Sequence, residues 1–126
     1  MTEGLIKVSP LGKTWIFDID GTIVRHNGYK TDGKDTILEG ARDFFANITD
    51  KDMVILITSR TEEYKEETEE FLRSNDIPFD YIIYNAPMGE RILVNDSKPS
   101  GLVTALAVPT KRDEFMKTEF ITDEGM

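Results

Sequence analysis

Cysteine is absent from this chain, and tryptophan and histidine occur once each. Without cysteine there is no disulfide, no thiolate nucleophile and no zinc–thiolate centre, and a reducing cytoplasm is the compartment this composition suits. Any metal has to be held by oxygen ligands or by His26. That histidine lies in a polar stretch, where an exposed loop residue is the commoner reading, and it stays outside the catalytic set. Also missing is any run of about 20 apolar residues able to span a bilayer. Residues 1–10 show neither a basic nor an apolar leader region, so a soluble, cytoplasmic protein is expected. Basic side chains are the minority: 15 Lys and Arg against 24 Asp and Glu leave a net charge of −9. Such a surface repels nucleic acid and anionic membranes, and neither is expected as a partner. A small phosphorylated ligand would need a local cation.

What is present fits one α/β domain over residues 1–126, with 39% hydrophobic and 31% charged residues. The organising stretch is Trp15-Ile16-Phe17-Asp18-Ile19-Asp20-Gly21-Thr22-Ile23, a buried strand running into a turn with two carboxylates one residue apart. Leu5 to Val8 reads as a lead-in strand or extended arm. Residues 23–38 carry Asn27-Gly28 and Asp32-Gly33 with little apolar content and read as a flap over the crevice mouth. Leu38 to Ile48 has the spacing of a crossover helix. Met53 to Ile57 is apolar at every position, as parallel strands covered on both faces are, and ends in Thr58-Ser59-Arg60. Glu62 to Asn75 is helical, with Thr61 placed to cap it, and its run of glutamates reads as a solvated face. Tyr81 to Tyr84 and Ile92 to Val94 supply third and fourth strands, the latter ending in Asn95-Asp96-Ser97-Lys98. Leu102 to Val108 fits either a fifth strand or a short helix, and residues 109–126 form a charged tail whose Phe115, Met116, Phe120 and Ile121 can dock on the domain or on a partner.

Strands alternating with helices imply a doubly wound, mostly parallel sheet. Ligands of such sheets bind outside the carboxyl ends of the strands. Three of these ends carry Asp18 and Asp20, then Thr58, Ser59 and Arg60, then Asp96 and Lys98. These are acids for a hard cation, hydroxyls for phosphate oxygens, and a base. One aspartate of a close pair can be the nucleophile while the second reaches the leaving group or attacking water.

These residues resemble a known family. Asp18-Ile19-Asp20-Gly21-Thr22 is similar to the first motif of the haloacid dehalogenase (HAD) superfamily of phosphatases and phosphotransferases. Ile57-Thr58-Ser59-Arg60 resembles its second motif, and Leu93-Val94-Asn95-Asp96 its fourth. The resemblance, from about Thr14 to Lys98, implies a Rossmann-like sheet of strand order 3-2-1-4-5 with helices on both faces. It implies Asp18 as the nucleophile that becomes an aspartyl-phosphate and Asp20 as acid/base. Thr58 would hold a phosphoryl oxygen, assisted by Ser59. Mg²⁺ would be held by Asp18, the Asp20 carbonyl and Asp96. The stretch Ile92 to Thr104 resembles small bacterial proteins associated with polysaccharide synthesis, which points to sugar phosphates.

The sequence departs from that pattern in two places. The lysine that precedes a proline before the fourth motif is replaced by Asn85-Ala86-Pro87; Lys98 is the favoured substitute, with Arg91 and Arg60 as alternatives. Asn95 stands where many relatives have a second acid. The flap is too short for a full cap, so the site is open to large substrates or closed by another subunit, as in a homo-oligomer. A catalytically weak binding or regulatory domain of the same fold is the alternative function. A receiver domain fits less well, because its acidic pair and phosphorylated aspartate lie on different strands.

Overall fold

The computed structural model describes residues 4–126. Two parallel sheets carry the chain. The first pairs β1 (Leu5–Val8) with β5 (Glu119–Thr122), and the second orders β2 (Thr14–Asp18), β3 (Met53–Ile57) and β4 (Tyr81–Ile83) as β2-β3-β4. In this second sheet the three strands adjoin as the 3-2-1 part of the expected order.

Register decides what the sheet presents. Trp15 pairs with Val54, Phe17 with Leu56, and Leu56 with Ile82, so these side chains share one face. That face is buried: Phe17, Val54 and Leu56 join Ile19, Ile23, Val24, Ala41, Phe45, Leu72, Ile77 and Phe115 in one core. Rings fill much of it, with Phe17 against Phe45 at 4.9 Å and Trp15 edge-on to Phe44 at 5.1 Å. Trp15 also meets Phe120 of β5 at 5.0 Å. The tail therefore docks on its own domain. The strands are further tied by carboxylates, since Asp52 accepts from the Lys13 N–H and the Trp15 indole, and Asp80 from the Val54 N–H.

The opposite face departs from expectation. Ile16, Tyr81 and Ile83 are 52%, 60% and 49% exposed, although an all-apolar strand such as β3 suits a sheet covered on both sides. The cause lies downstream. Residues 84–118 contain neither helix nor strand, so nothing there packs on this face, and α2 (Ala41–Phe45) and α3 (Lys65–Ser74) both contribute to the single core. The expected fourth strand is not formed: Ile92 and Val94 are 85% and 88% exposed. An apolar triplet becomes a strand only against a partner edge, and 92–94 lies against none. Leu102–Val108 is likewise neither strand nor helix, so positions 4 and 5 of the expected strand order are not filled.

Helix boundaries shift for local reasons. The first crossover helix starts at Ala41, not Leu38, because Gly40 takes a left-handed φ of 95° at its N-cap. The second begins as a 3-10 turn at Glu62–Tyr64 before α3, and Thr61 gives its hydroxyl to Glu63 instead of capping the helix. In the flap, Arg25 N–H donates to Thr36 and Leu38 N–H to Ile23, closing its base around one helical turn, α1 (Gly28–Thr31). Among the described residues no helix is long and apolar enough to cross a membrane.

Candidate active site

The carboxyl edge of the three-stranded sheet collects the site. Asp18 is the last residue of β2, paired with Ile57 of β3, whose next residue is Thr58. Beyond Asp18 the chain turns sharply: the Ile19 carbonyl accepts from the N–H groups of Thr22, Ile23 and Val24. Gly21 makes this possible with φ 81°, and an added Cβ there would crowd Arg112 at 3.2 Å. Ile19 is fully buried, which turns its neighbours Asp18 and Asp20 towards the sheet edge.

The two aspartates have different surroundings. Asp18, partly exposed, accepts from the Thr22 hydroxyl at 3.2 Å and from Arg91 at 3.1 Å. Asp20 is held by Thr58, whose hydroxyl donates to it at 3.1 Å, and by Arg60 through Nε and, at 2.8 Å, a terminal nitrogen. The sequence-derived trio Thr58, Ser59 and Arg60 thus lies beside the acidic pair. Thr58 and Arg60 are buried and Ser59 is half-buried.

Arg60 is the most enclosed charge here, its side chain 1% exposed. Its N–H groups are fully committed: Nε to Asp20, one terminal nitrogen to Asp20 and Asp35, the other to Asp35 and Thr68. Tyr29 of the flap covers the guanidinium at 3.9 Å and rests edge-on against Tyr64. Burial alone would pull the guanidinium pKa down, but hydrogen bonds to Asp35 and Asp20 and their charges outweigh it and hold it above its ordinary value. Sequence reasoning missed Asp35, Tyr29 and Thr68. Asp35 and Tyr29 sit in a polar loop without period, and Thr68 reads only as one residue of a helix stripe.

The remaining expected residues stand elsewhere. Asp96 and Lys98 lie in the exposed 92–98 segment, where the Thr104 hydroxyl donates to the Asp96 carbonyl and Lys98 N–H donates to Leu102. Magnesium takes about six oxygens in near-octahedral array. Among the described residues no three acidic or histidine side chains gather, Arg91 faces Asp18, and the Asp20 carboxylate is occupied. In this arrangement the residues do not fit a magnesium site. His26 is half-buried in the flap, its backbone N–H donating to Asp113 of the tail.

No family model matches the sequence, and a search of curated proteins gives no match. Two solved structures are similar. One, described as the structure of the Pnkp1/Rnl/Hen1 RNA repair complex, matches at 27% identity and TM-score 0.51, covering 68% of this chain and 29% of that one. The other, described as the structure of the Pnkp1/Rnl/Hen1 complex, matches at 26% identity and TM-score 0.51, covering 68% and 32%. This chain spans about a third of the length of those it matches.

Proposed function

We propose that the protein is a Mg²⁺-dependent phosphomonoester hydrolase of HAD type, acting through an aspartyl-phosphate on a small phosphorylated metabolite such as a sugar phosphate. One observation carries the reading: the Thr58 hydroxyl at the end of β3 reaches Asp20, two residues beyond Asp18 at the end of the paired β2. An Asp18 oxygen attacks phosphorus, the bond to the leaving oxygen breaks, and Asp20 gives that oxygen its proton. Water then attacks phosphorus, passes a proton to Asp20, and the bond to Asp18 breaks. When Asp20 turns to the leaving oxygen, the Thr58 hydroxyl is released to donate to a phosphoryl oxygen, with Ser59 beside it.

The finer architecture of this proposal is the strand order 3-2-1-4-5. β2 is an end strand of its sheet, with Ile16 half exposed, and Ile92–Val94 is an exposed apolar triplet. Laid parallel on that edge, 92–94 removes apolar surface from water and brings Asp96 and Lys98 to the carboxyl end. Asp18, the Asp20 carbonyl and Asp96 would then hold Mg²⁺, which supplies charge neutralisation at the transferring phosphoryl group.

Phosphate release from aryl and sugar phosphates, with and without Mg²⁺, tests the reading. Turnover that needs Mg²⁺ and is abolished in Asp18→Asn is the expected result. No turnover on any substrate while phosphate esters still bind would favour the alternative, a catalytically weak binding domain. Because one of the matched structures is described as an RNA repair complex, the panel also includes a phosphorylated RNA.

A further inference from the structure

Arg60 lies at the end of a motif strand, yet its guanidinium has no N–H left for a substrate. Two carboxylates share it from opposite parts of the chain. Asp20 comes from the turn after β2 and Asp35 from the flap, both meeting the same terminal nitrogen, at 2.8 and 2.7 Å. Asp35 is itself buried, its side chain 7% exposed, although it belongs to a polar loop. Tyr29, from the other limb of the flap, closes over the plane of the group.

We infer that Arg60 is a positioning residue shared between the acid/base and the flap, so that the seating of Asp35 and Tyr29 sets the direction in which Asp20 is aimed. The inference rests on the reading of Asp20 as the acid/base. The geometry supplies the coupling. Thr68 and Asp35 hold one side of the guanidinium, and that fixes the side-on approach of its Nε and terminal nitrogen to Asp20. With Asp35 gone, the fork keeps Thr68 and Asp20 but loses the bidentate partner that ties it to the flap. A substrate entering beneath the flap and displacing Asp35 would alter the hold on Asp20 at the same moment. The flap thus reports its position to the chemistry through one side chain, and Asp35, which touches no reacting atom, becomes a determinant of proton transfer.

Because coupling is reciprocal, it is measurable without turnover. Hydrogen exchange is followed at the Arg25 and Leu38 amides, which close the flap base, and at the amides of β3 as a reference. Asp35→Asn should speed exchange at the flap amides about tenfold with β3 unchanged, and Asp20→Asn should do the same from the other side. Flap amides indifferent to Asp20→Asn overturn the inference. If Asp35→Asn loosens the whole molecule, β3 exchange rises in parallel, and Tyr29→Leu, which keeps every ion pair, takes its place with the same expectation. In kinetics, Asp35→Asn should lower kcat about tenfold more for an alkyl phosphate than for nitrophenyl phosphate, with KM little changed. A rise in KM equal for both substrates would instead make Arg60 a substrate contact. Should the wild-type protein hydrolyse nothing, the phosphatase reading fails, and the exchange measurements still decide the coupling.

Discussion

Asp18 and Asp20 differ by what touches them, and that difference sets how each fails. On the proposed mechanism Asp18→Asn removes the attacking oxygen, so activity should fall to background with every leaving group. Asp20→Asn keeps the nucleophile but removes proton transfer, a loss of about 10²–10⁴-fold, along with the charge that faces Arg60. That loss should be smallest for nitrophenolate, which departs without a proton, and largest for sugar phosphates; steady-state rates across a leaving-group series check it. Equal losses in both variants at every leaving group would overturn this division of roles. These two residues and Thr58 were legible because apolar runs mark where strands end, and a polar residue at that point has to face the sheet edge. Asp35 was not legible. Its burial comes from a partner 25 positions away, and nothing in the spacing of a glycine-punctuated loop announces that one of its carboxylates folds inward.

Between elements, the hydroxyl of Tyr84, just past β4, donates to Glu69 of α3 at 3.0 Å. Burial first, then the Glu69 hydrogen bond and charge, push the phenol above its ordinary pKa of about 10. The folded state therefore keeps this proton where the unfolded state releases it. The stability so contributed is present in full below about pH 10 and is lost as pH climbs through the folded-state value. Tyr84→Phe should cost about 1 kcal/mol near neutrality, the partly exposed pair being screened. Urea denaturation at rising pH should show the gap to wild type closing above about pH 10. A gap independent of pH would remove the tie.

The 85–98 segment poses a sharper choice. In a strand, Arg91 and Asp96 stand about 16 Å apart, from a rise of about 3.3 Å per residue. Both cannot reach Asp18 at once. Arg91 meets it in this structure, whereas the proposed fourth strand sends Arg91 to the far end of the sheet and brings Lys98 near. Lys98→Ala should then lower kcat/KM at least about tenfold. Arg91→Ala should leave it nearly unchanged and tighten Mg²⁺ binding by calorimetry. The opposite pattern would make Arg91 the working cation and 92–94 a permanent loop. Sequence pattern marks Ile92–Val94 as strand-forming; which edge it pairs with is a tertiary matter that three residues do not encode.

Across the whole molecule, the α/β class and the parallel β2-β3-β4 arrangement followed from apolar runs separated by helical spacing, whereas Phe115 and Phe120 marked the tail as able to dock either on the domain or on a partner, and only the fold shows the domain. The β1-β5 sheet was not readable. Leu5–Val8 is short and half-exposed, and its partner lies more than a hundred residues away, beyond any local signal.

That pairing gives the chain a direction of mechanical strength. β1 and β5 run parallel, with Leu5 beside Glu119 and Val8 beside Thr122, so tension applied ahead of β1 and after β5 pulls from opposite ends of the pair. The interstrand bonds are then loaded in shear, all together, and the strands must slide past one another before anything else yields. Tension applied at Gly4 and at Thr118 acts on one end and opens the bonds one after another, as a zipper. A chain without cysteine accepts two introduced thiols as unique handles. Single-molecule pulling should find a markedly higher rupture force through residues 4 and 126 than through residues 4 and 118, since forced unfolding follows the barrier rather than the equilibrium stability. Equal forces in the two directions would mean that this outer pair does not bear the load.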